Sequence, residues 1–498
     1  MRNLVVVNKS SDWIYDTENI EIVSAKTYLT DSNYAELRNI RVFNLCRSYK
    51  YQSNGYYVSL LAEARGHKVF PSITTIQDLK SLSITRVISD EIDDMIQRKF
   101  SRLVSDKFTL SIYFGHNVSP SYDKLAKQLY GLFQAPLIRA QFVRKKKWVL
   151  QDISALPITE ISEAHQPFVA QFAKEAFNKK RHDGARKTAT IYDLAILVNP
   201  DDPEPPSDKK ALQHFVEAGE SCGFNVEFIT KDDYSRISMF DALFIRDTTA
   251  VNHYTYRFAR RAHAEGMVVI DDPVSILKCA NKVYLSEMLH KARINTPKTL
   301  IVHKDNKDSV IEELGLPVVL KQPDSCFSQG VIKATSPEML ATELENFLSS
   351  SDLIVCQEYI PTEFDWRIGI LDRTPLFACK YFMAKDHWQI CSWADDKVNH
   401  EWGDAKGLPI EDVPEKIMKT ALRAANLIGD GLYGVDLKQV NDKVYVIEVN
   451  DNPNLDEGYE NYILKEKLYK VVMQSFFRRL ELKRQHILYP ELEKVLTE

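Results

Sequence analysis

The sequence predicts a multidomain protein of mixed α/β and α+β class, on three observations. At 498 residues the chain has room for roughly three domains, each able to bury a core. Between residues 192 and 271 apolar strand patterns alternate with helix patterns, as in a small parallel sheet. Apolar, β-branched runs at 437–440 and 443–449 flank Asn441-Asp442, which reads as strand, turn and strand.

The elements follow in chain order. A strand at 4–7 begins an N-terminal α/β unit, and Gly55 to Gly66 reads as a capped helix: Val58, Leu61, Ala62 and Arg65 keep helical spacing and Gly66 is the stop. Cys46 precedes it; a buried small hydrophobe is the commoner reading and a nucleophile the rarer one. Arg144 to Lys147 is basic, as a solvated hairpin or helix end would be. Residues 176–188 are basic and polar and read as a linker or an exposed helix end. The strand at 192–198 then leads through Asp202-Pro203-Glu204-Pro205-Pro206-Ser207 to a helix at 209–222. Strands at 226–229 and 242–245, a helix at 255–265 and a strand at 268–271 complete the alternation.

Oxygen and nitrogen groups collect after residue 280. Alternation along a strand places Glu448 and Asn450 on one face, and a hairpin brings Asp436 beside them. Two carboxylates and an amide oxygen suit a hard ion such as Mg²⁺, although a surface hairpin with solvated acids carries the same letters. The run 318–321 reads as a buried strand ending in Lys321, followed by a loop through Ser328, Gln329 and Gly330 that can turn over an anion. Asn281 is a plausible cap of the helix that Lys282 opens; a lysine at that positive end points to phosphate or is simply solvated. A strand at 354–358 runs into Tyr359-Ile360-Pro361, where backbone groups of Gln357, Glu358, Tyr359 and Ile360 can meet adenine. Asp365 and Arg367 share one face of the next strand, as a site pair or a surface pair.

In this order the motifs resemble the RimK-like branch of the ATP-grasp ligases: Lys282, Lys321 with its loop, Gln357-Glu358-Tyr359-Ile360, Asp365-x-Arg367, Gly434-Val435-Asp436 and Glu448-Val449-Asn450-Asp451-Asn452-Pro453. The stretch from Asn44 to His67, and more weakly Ala135 to Ala140 with Trp148, resembles the N-terminal domain often joined to such modules. The resemblance implies a RimK-like N-terminal domain at 1–175, a parallel-sheet pre-ATP-grasp domain at 189–280, and a two-lobed ATP-grasp fold at 281–498 clamping ATP. It further implies a carboxylate–amine ligase that works through an acyl-phosphate, releases ADP and adds glutamate or another amino acid to a small molecule, peptide or protein.

By that resemblance Lys282, Lys321, Ser328, Gln329, Gly330 and Gln357 to Ile360 bind ATP, with Asp365 near the ribose. Asp436, Glu448 and Asn450 carry Mg²⁺, for which Mn²⁺ can substitute. Arg367 and Lys380 are catalytic, and Arg367, Asn452 and Lys385 face substrate. One departure is visible: residues 381–396 are aromatic and lack an Arg-Gly-Gly pattern, which argues against a ribosomal protein tail as substrate. The alternatives are a nucleotide-binding regulatory protein with a degenerate ATP-grasp core, and an ATP-dependent phosphotransferase.

Composition narrows the class. Apolar residues are 44% and charged residues 27%, ordinary for a globular protein, and the net charge of −5 gives no global attraction to nucleic acid or membrane. Seven scattered cysteines without C-x-x-C argue for a reducing compartment and against structural zinc. His387 and His400 lack metal-ligand spacing. Neither a signal peptide nor a membrane-length apolar run is read, so a cytoplasmic enzyme is expected, with homo-oligomers allowed.

Overall fold

A computed structural model describes residues 2–15, 20–37, 40–81, 85, 89, 92–177, 191–324, 330–393 and 400–488. The chain forms two compact units: Met1–Tyr192 with Tyr234–Arg236 and Glu481–Glu498, and Asp193–Asp233 with Ile237–Leu480. The segments expected as domains 189–280 and 281–498 thus pack largely within one unit, and most of the expected linker lies outside the described residues.

In the first unit, parallel strands stand in the order Glu21–Ser24, Arg2–Val7, Ile40–Asn44, Lys68–Phe70. Parallel neighbours need a crossover, and helix Asn54–Ala64 supplies it between the last two. Ser53 accepts the Tyr56 N–H as its cap, Val58 and Ala62 are buried, and Gly66 stops the chain at φ +69°. Cys46 is fully buried and burial pushes its thiol up to about 12, so it packs as a small hydrophobe. An antiparallel sheet of Lys107–Tyr113, Leu137–Arg144 and Trp148–Ala155 follows, and the basic run turns its hairpin, Lys145 donating to the Lys147 carbonyl.

The second unit contains three larger sheets. The first, in the order Val268–Ile270, Ala242–Arg246, Tyr192–Val198, Phe224–Ile229, is the small sheet expected from the alternation, its first three strands parallel. The second is antiparallel: Thr299–Val302, Ile354–Glu358, Val318–Lys321, Val331–Ala334. The third is also antiparallel: Ala405–Leu408, Thr374–Phe382, Phe364–Leu371, Leu432–Val440, Lys443–Asp451.

Helix Glu415–Ile428 buries Ile417, Ala421, Ala424, Ala425 and Ile428 in one core with Trp366, Ile368, Val435, Leu437 and Val446 of this sheet. Between Leu432–Val440 and Lys443–Asp451 the register slips at Asp436/Leu437: Asp436 faces Glu448, whereas Leu437 faces Val446. Ile447 is therefore the extra residue of a β-bulge. The bulge switches strand parity, so that Val444, Val446 and Val449 all reach the core while Glu448 and Asn450 face away from it.

Candidate active site

A cleft of about 440 Å³ opens over the second and third sheets of the second unit, a size that suits a nucleotide with small substrates. One wall is apolar. Val319 and Val331 line it with Gln357, Glu358, Tyr359 and Ile360. Gln357 donates to Thr299 Oγ1 at 2.9 Å, and the Glu358 carboxylate accepts the Lys298 N–H at 2.7 Å, which fixes the strand end and leaves the 359–360 backbone at the cleft. Trp388 closes over Tyr359, ring centroids 5.9 Å apart, and Lys333 Nζ lies 4.6 Å from the Tyr359 ring. An amphipathic wall of this kind suits a planar base.

The cleft floor is charged. Asn281 caps helix Lys282–Lys291 by accepting the Tyr284 N–H at 3.0 Å, and Lys282 Nζ reaches Glu448 Oε1 at 2.8 Å. Lys321 ends its strand at 9% exposure, and burial pulls its ammonium down to about 8, with Glu448 holding it partly up and Lys282 pushing it down. Arg367 grips Asp436 with two donors, Nε to Oδ1 and Nη2 to Oδ2, the second at 2.9 Å. Burial opposes the Arg367 charge, but Asp436 outweighs it and raises the guanidinium further. For Asp436, burial pushes the carboxyl up, Arg367 offsets this only in part, and Glu448 adds to the push. Burial works the same way on Glu448, where Lys282 and Lys321 win and lower it. Asn450 Nδ2 donates to Asp436 Oδ2 at 3.0 Å.

These donors fit a hard divalent ion. Asp436, Glu448 and Asn450 offer only oxygen ligands, and the two carboxylates are cross-strand neighbours whose repulsion a cation would relieve. Among the described residues no cluster of three or more His, Cys, Asp or Glu stands at metal-holding spacing, so any ion here leans on the amide and on ligands from substrate or water.

Not every predicted residue comes to the cleft. Lys380 pairs in register with Trp366, one place out of step with Arg367, and so points to the opposite sheet face. Its Nζ lies over the Phe364 and Trp366 rings, 4.3 and 4.8 Å from their centroids. Lys385 is exposed and lines no part of the cleft. Asn452 does line it, but both ends of its amide are engaged: Oδ1 accepts Arg246 Nη1 at 2.6 Å and Nδ2 donates to the Asp247 carbonyl at 2.7 Å. Of the three residues expected at the reacting groups beside Arg367, Asn452 thus lies at the cleft, whereas Lys380 and Lys385 do not line it. Gly330, at φ +67°, closes its loop through a 2.9 Å bond from Gln322 N to its carbonyl. Ser328 and Gln329 lie outside the described residues. His387 is structural, accepting the Gln389 N–H at 3.1 Å.

The cleft also holds groups that the sequence did not single out. Lys438 Nζ binds Asp365 Oδ1 at 2.6 Å and Thr362 Oγ1 at 2.8 Å. It lies two residues beyond Asp436, so alternation along the strand was its signal. Tyr381 and Glu460 line the cleft near Arg367, and nothing periodic announces Glu460, which lies in a turn.

Residues 25–172 match the family described as RimK-like ATPgrasp N-terminal domain, and residues 279–373 match the RimK-like ATP-grasp domain. An alpha-aminoadipate–LysW ligase of Saccharolobus solfataricus is 27% identical over 262 residues, 48% of this chain and 88% of that protein. A probable alpha-L-glutamate ligase of Marinomonas is 26% identical over 270 residues, 50% of this chain and 86% of that protein. Among solved structures, the D-alanine–D-alanine ligase of Bacillus anthracis aligns with TM-score 0.46 and 17% identity, covering 59% of this chain and 99% of that one. A RimK domain ATP-grasp protein of Sphaerobacter thermophilus aligns with TM-score 0.44 and 15% identity, over 57% of this chain and 98% of its own.

Proposed function

We propose that this RimK-like ATP-grasp protein is an ADP-forming ligase that joins a carboxylate to the amine of an amino acid through an acyl-phosphate. One observation carries the reading. Lys282, Lys321, Arg367, Asp436, Glu448 and Asn450, spread over 169 positions of sequence from 282 to 450, converge on one cleft beside the apolar 357–360 wall. Phosphoryl transfer asks a protein chiefly for positioning and charge neutralisation, and this floor is built of both.

In this reading the 357–360 backbone holds the adenine, and Lys282 and Lys321 bind the phosphate chain. Asp365, held by Lys438, stands by the ribose. Asp436, Glu448 and Asn450 would hold Mg²⁺, which when bound neutralises phosphate charge. Arg367, fixed by Asp436, presents its remaining N–H donors to the carboxylate and then to its phosphate. The names of the relatives favour glutamate or 2-aminoadipate among the amino acids to be tried first.

The test is a panel of amino acids, singly and in pairs, with ATP and Mg²⁺, following ADP and new amides by mass spectrometry. Amide formation with ¹⁸O passing from a labelled carboxylate into phosphate is the expected result. Amide without label in phosphate would refute the acyl-phosphate route.

A further inference from the structure

The cleft holds a second carboxylate apart from the ion-holding hairpin. Glu460 lies in the turn that follows strand Lys443–Asp451 and is only 4% exposed, yet it lines the cleft beside Tyr459 and Asp456. One of its oxygens accepts the Tyr381 hydroxyl, and the other accepts the Asp456 N–H at 2.8 Å. Both donors are neutral, and among the described residues no lysine or arginine forms an ion pair with it. Tyr381 in turn lies against Arg367, whose guanidinium carbon is 5.0 Å from the ring centroid. Glu460 is therefore one side chain removed from the group assigned to the carboxylate being activated. Asp456 is not its equivalent. Its oxygens accept the Asp208 N–H at 2.8 Å and the Asn454 amide at 3.2 Å, which tie down the turn.

An amino acid's amine is protonated near neutral pH and has no lone pair with which to attack, so amide formation needs a proton acceptor at the reacting nitrogen. We propose that Glu460 is that acceptor and that Tyr381 sets its basicity. The inference rests on the ligase reading above. In the step, Glu460 takes one proton from the ammonium, which frees the nitrogen lone pair that forms the C–N bond. The C–O bond to the phosphate breaks with its electron pair leaving on phosphate, and the departing phosphate takes the second N–H proton.

The electrostatics suit the role. Burial pushes the Glu460 carboxyl up to about 7, Asp456 pushes the same way, and the Tyr381 hydroxyl and backbone N–H donors pull it back. Arg367, Arg246, Cys379 and Tyr469 are the other charged or titratable groups coupled to it. An acceptor titrating near the working pH is the efficient case.

The experiment compares two nucleophiles. The amino-acid pair giving most ADP in the panel is assayed with its own amine and then with hydroxylamine, which is already a free base at neutral pH. Glu460→Gln is expected to slow amide formation about 100-fold or more and to leave hydroxamate formation within about threefold of wild type. The acidic limb of kcat/KM near pH 7 should vanish in Glu460→Gln and move to higher pH in Tyr381→Phe, which loses the hydroxyl donor. Equal losses with both nucleophiles, no loss with either, or an unmoved limb in Tyr381→Phe would overturn the proposal. If the wild-type chain releases no ADP with any carboxylate even when hydroxylamine is present, the ligase reading falls first and takes the proposal with it.

Discussion

Lys321 offers the sharpest test of the phosphate floor. Its ammonium is pulled down to about 8 by burial. A phosphate beside it would favour the charged form and raise that value, so ATP binding is coupled to proton uptake. Below pH 8 the lysine is already protonated and affinity should be flat. Above it each ATP bound must also recruit a proton, at a cost that rises toward about 1.4 kcal/mol per pH unit, so Kd should weaken about fivefold between pH 8 and 9 and about tenfold per unit beyond. Few other groups of the cleft interfere there, because burial pushes the nearby Cys379 thiol up to about 12 and the Tyr381 phenol well above its ordinary value.

Lys321→Met should lose this slope. It should also weaken ATP binding at pH 7 by about 1.5–3 kcal/mol, a factor of roughly 10 to 150, the worth of one charge-assisted contact. Lys385→Met, at an exposed position away from the cleft, should change affinity by less than about 0.5 kcal/mol. Isothermal titration of Mg·ATP from pH 7 to 9.5 reads all three proteins. Wild-type affinity that stays flat across that range, or equal affinities for the two variants, would refute the placement of the phosphates.

Three further outcomes follow from the same geometry. Glu448→Gln should cut Mg²⁺-dependent ADP release by about 100-fold or more while circular dichroism stays native, because the variant keeps its shape and loses a charge; unchanged turnover would remove Glu448 from the ion site. Arg367→Lys should lower kcat strongly with little change in the KM for ATP, since an ammonium cannot copy the two-donor grip on Asp436; a change in KM alone would place Arg367 on ATP instead. Gly434→Ala should cost about 1–3 kcal/mol and reduce kcat as well, because a Cβ there would stand 2.8 Å from Pro453 Cβ and 3.1 Å from Arg367 Cδ; a variant with wild-type midpoint and turnover would show that the two can give way.

Much of the site was legible because its residues sit on strands whose period is two. Asp436, Glu448 and Asn450 follow from alternation and a turn, and Lys321 from an apolar run with a cation at its end. Alternation names two faces without saying which is inner, and Lys380, expected at the site from the resemblance alone, lies on the other face. Its face depends on Cys379, not Lys380, standing opposite Arg367, a register set by a partner strand. The bulge at Ile447 is likewise invisible in the letters, since no residue there demands it. Glu460 belongs to a turn and carries no period. The small parallel sheet was readable from its alternation, whereas its packing with the late helix Glu466–Leu488 depends on contacts far apart in sequence, such as Phe244 on Phe476, ring centroids 5.4 Å apart.

Arg246 has a consequence for how such a chain matures. Its guanidinium is 1% exposed and is surrounded by neutral acceptors, Ser207 Oγ, the Pro206 carbonyl, Asn452 Oδ1 and the Pro453 carbonyl. Half of that shell is made about 200 residues after Arg246 itself, so closing it costs loop entropy of roughly 5 kcal/mol by the logarithmic law. During synthesis the strand Ala242–Arg246 leaves the ribosome long before Asn452 exists, and for that interval it carries a cation without its lid. A nascent chain halted short of Asn452 would leave the Arg246 guanidinium without half of these acceptors, an unfinished core within reach of proteases and chaperones. The Asn452-Pro453 segment that follows the hairpin thus acts as a keystone in time as well as in space.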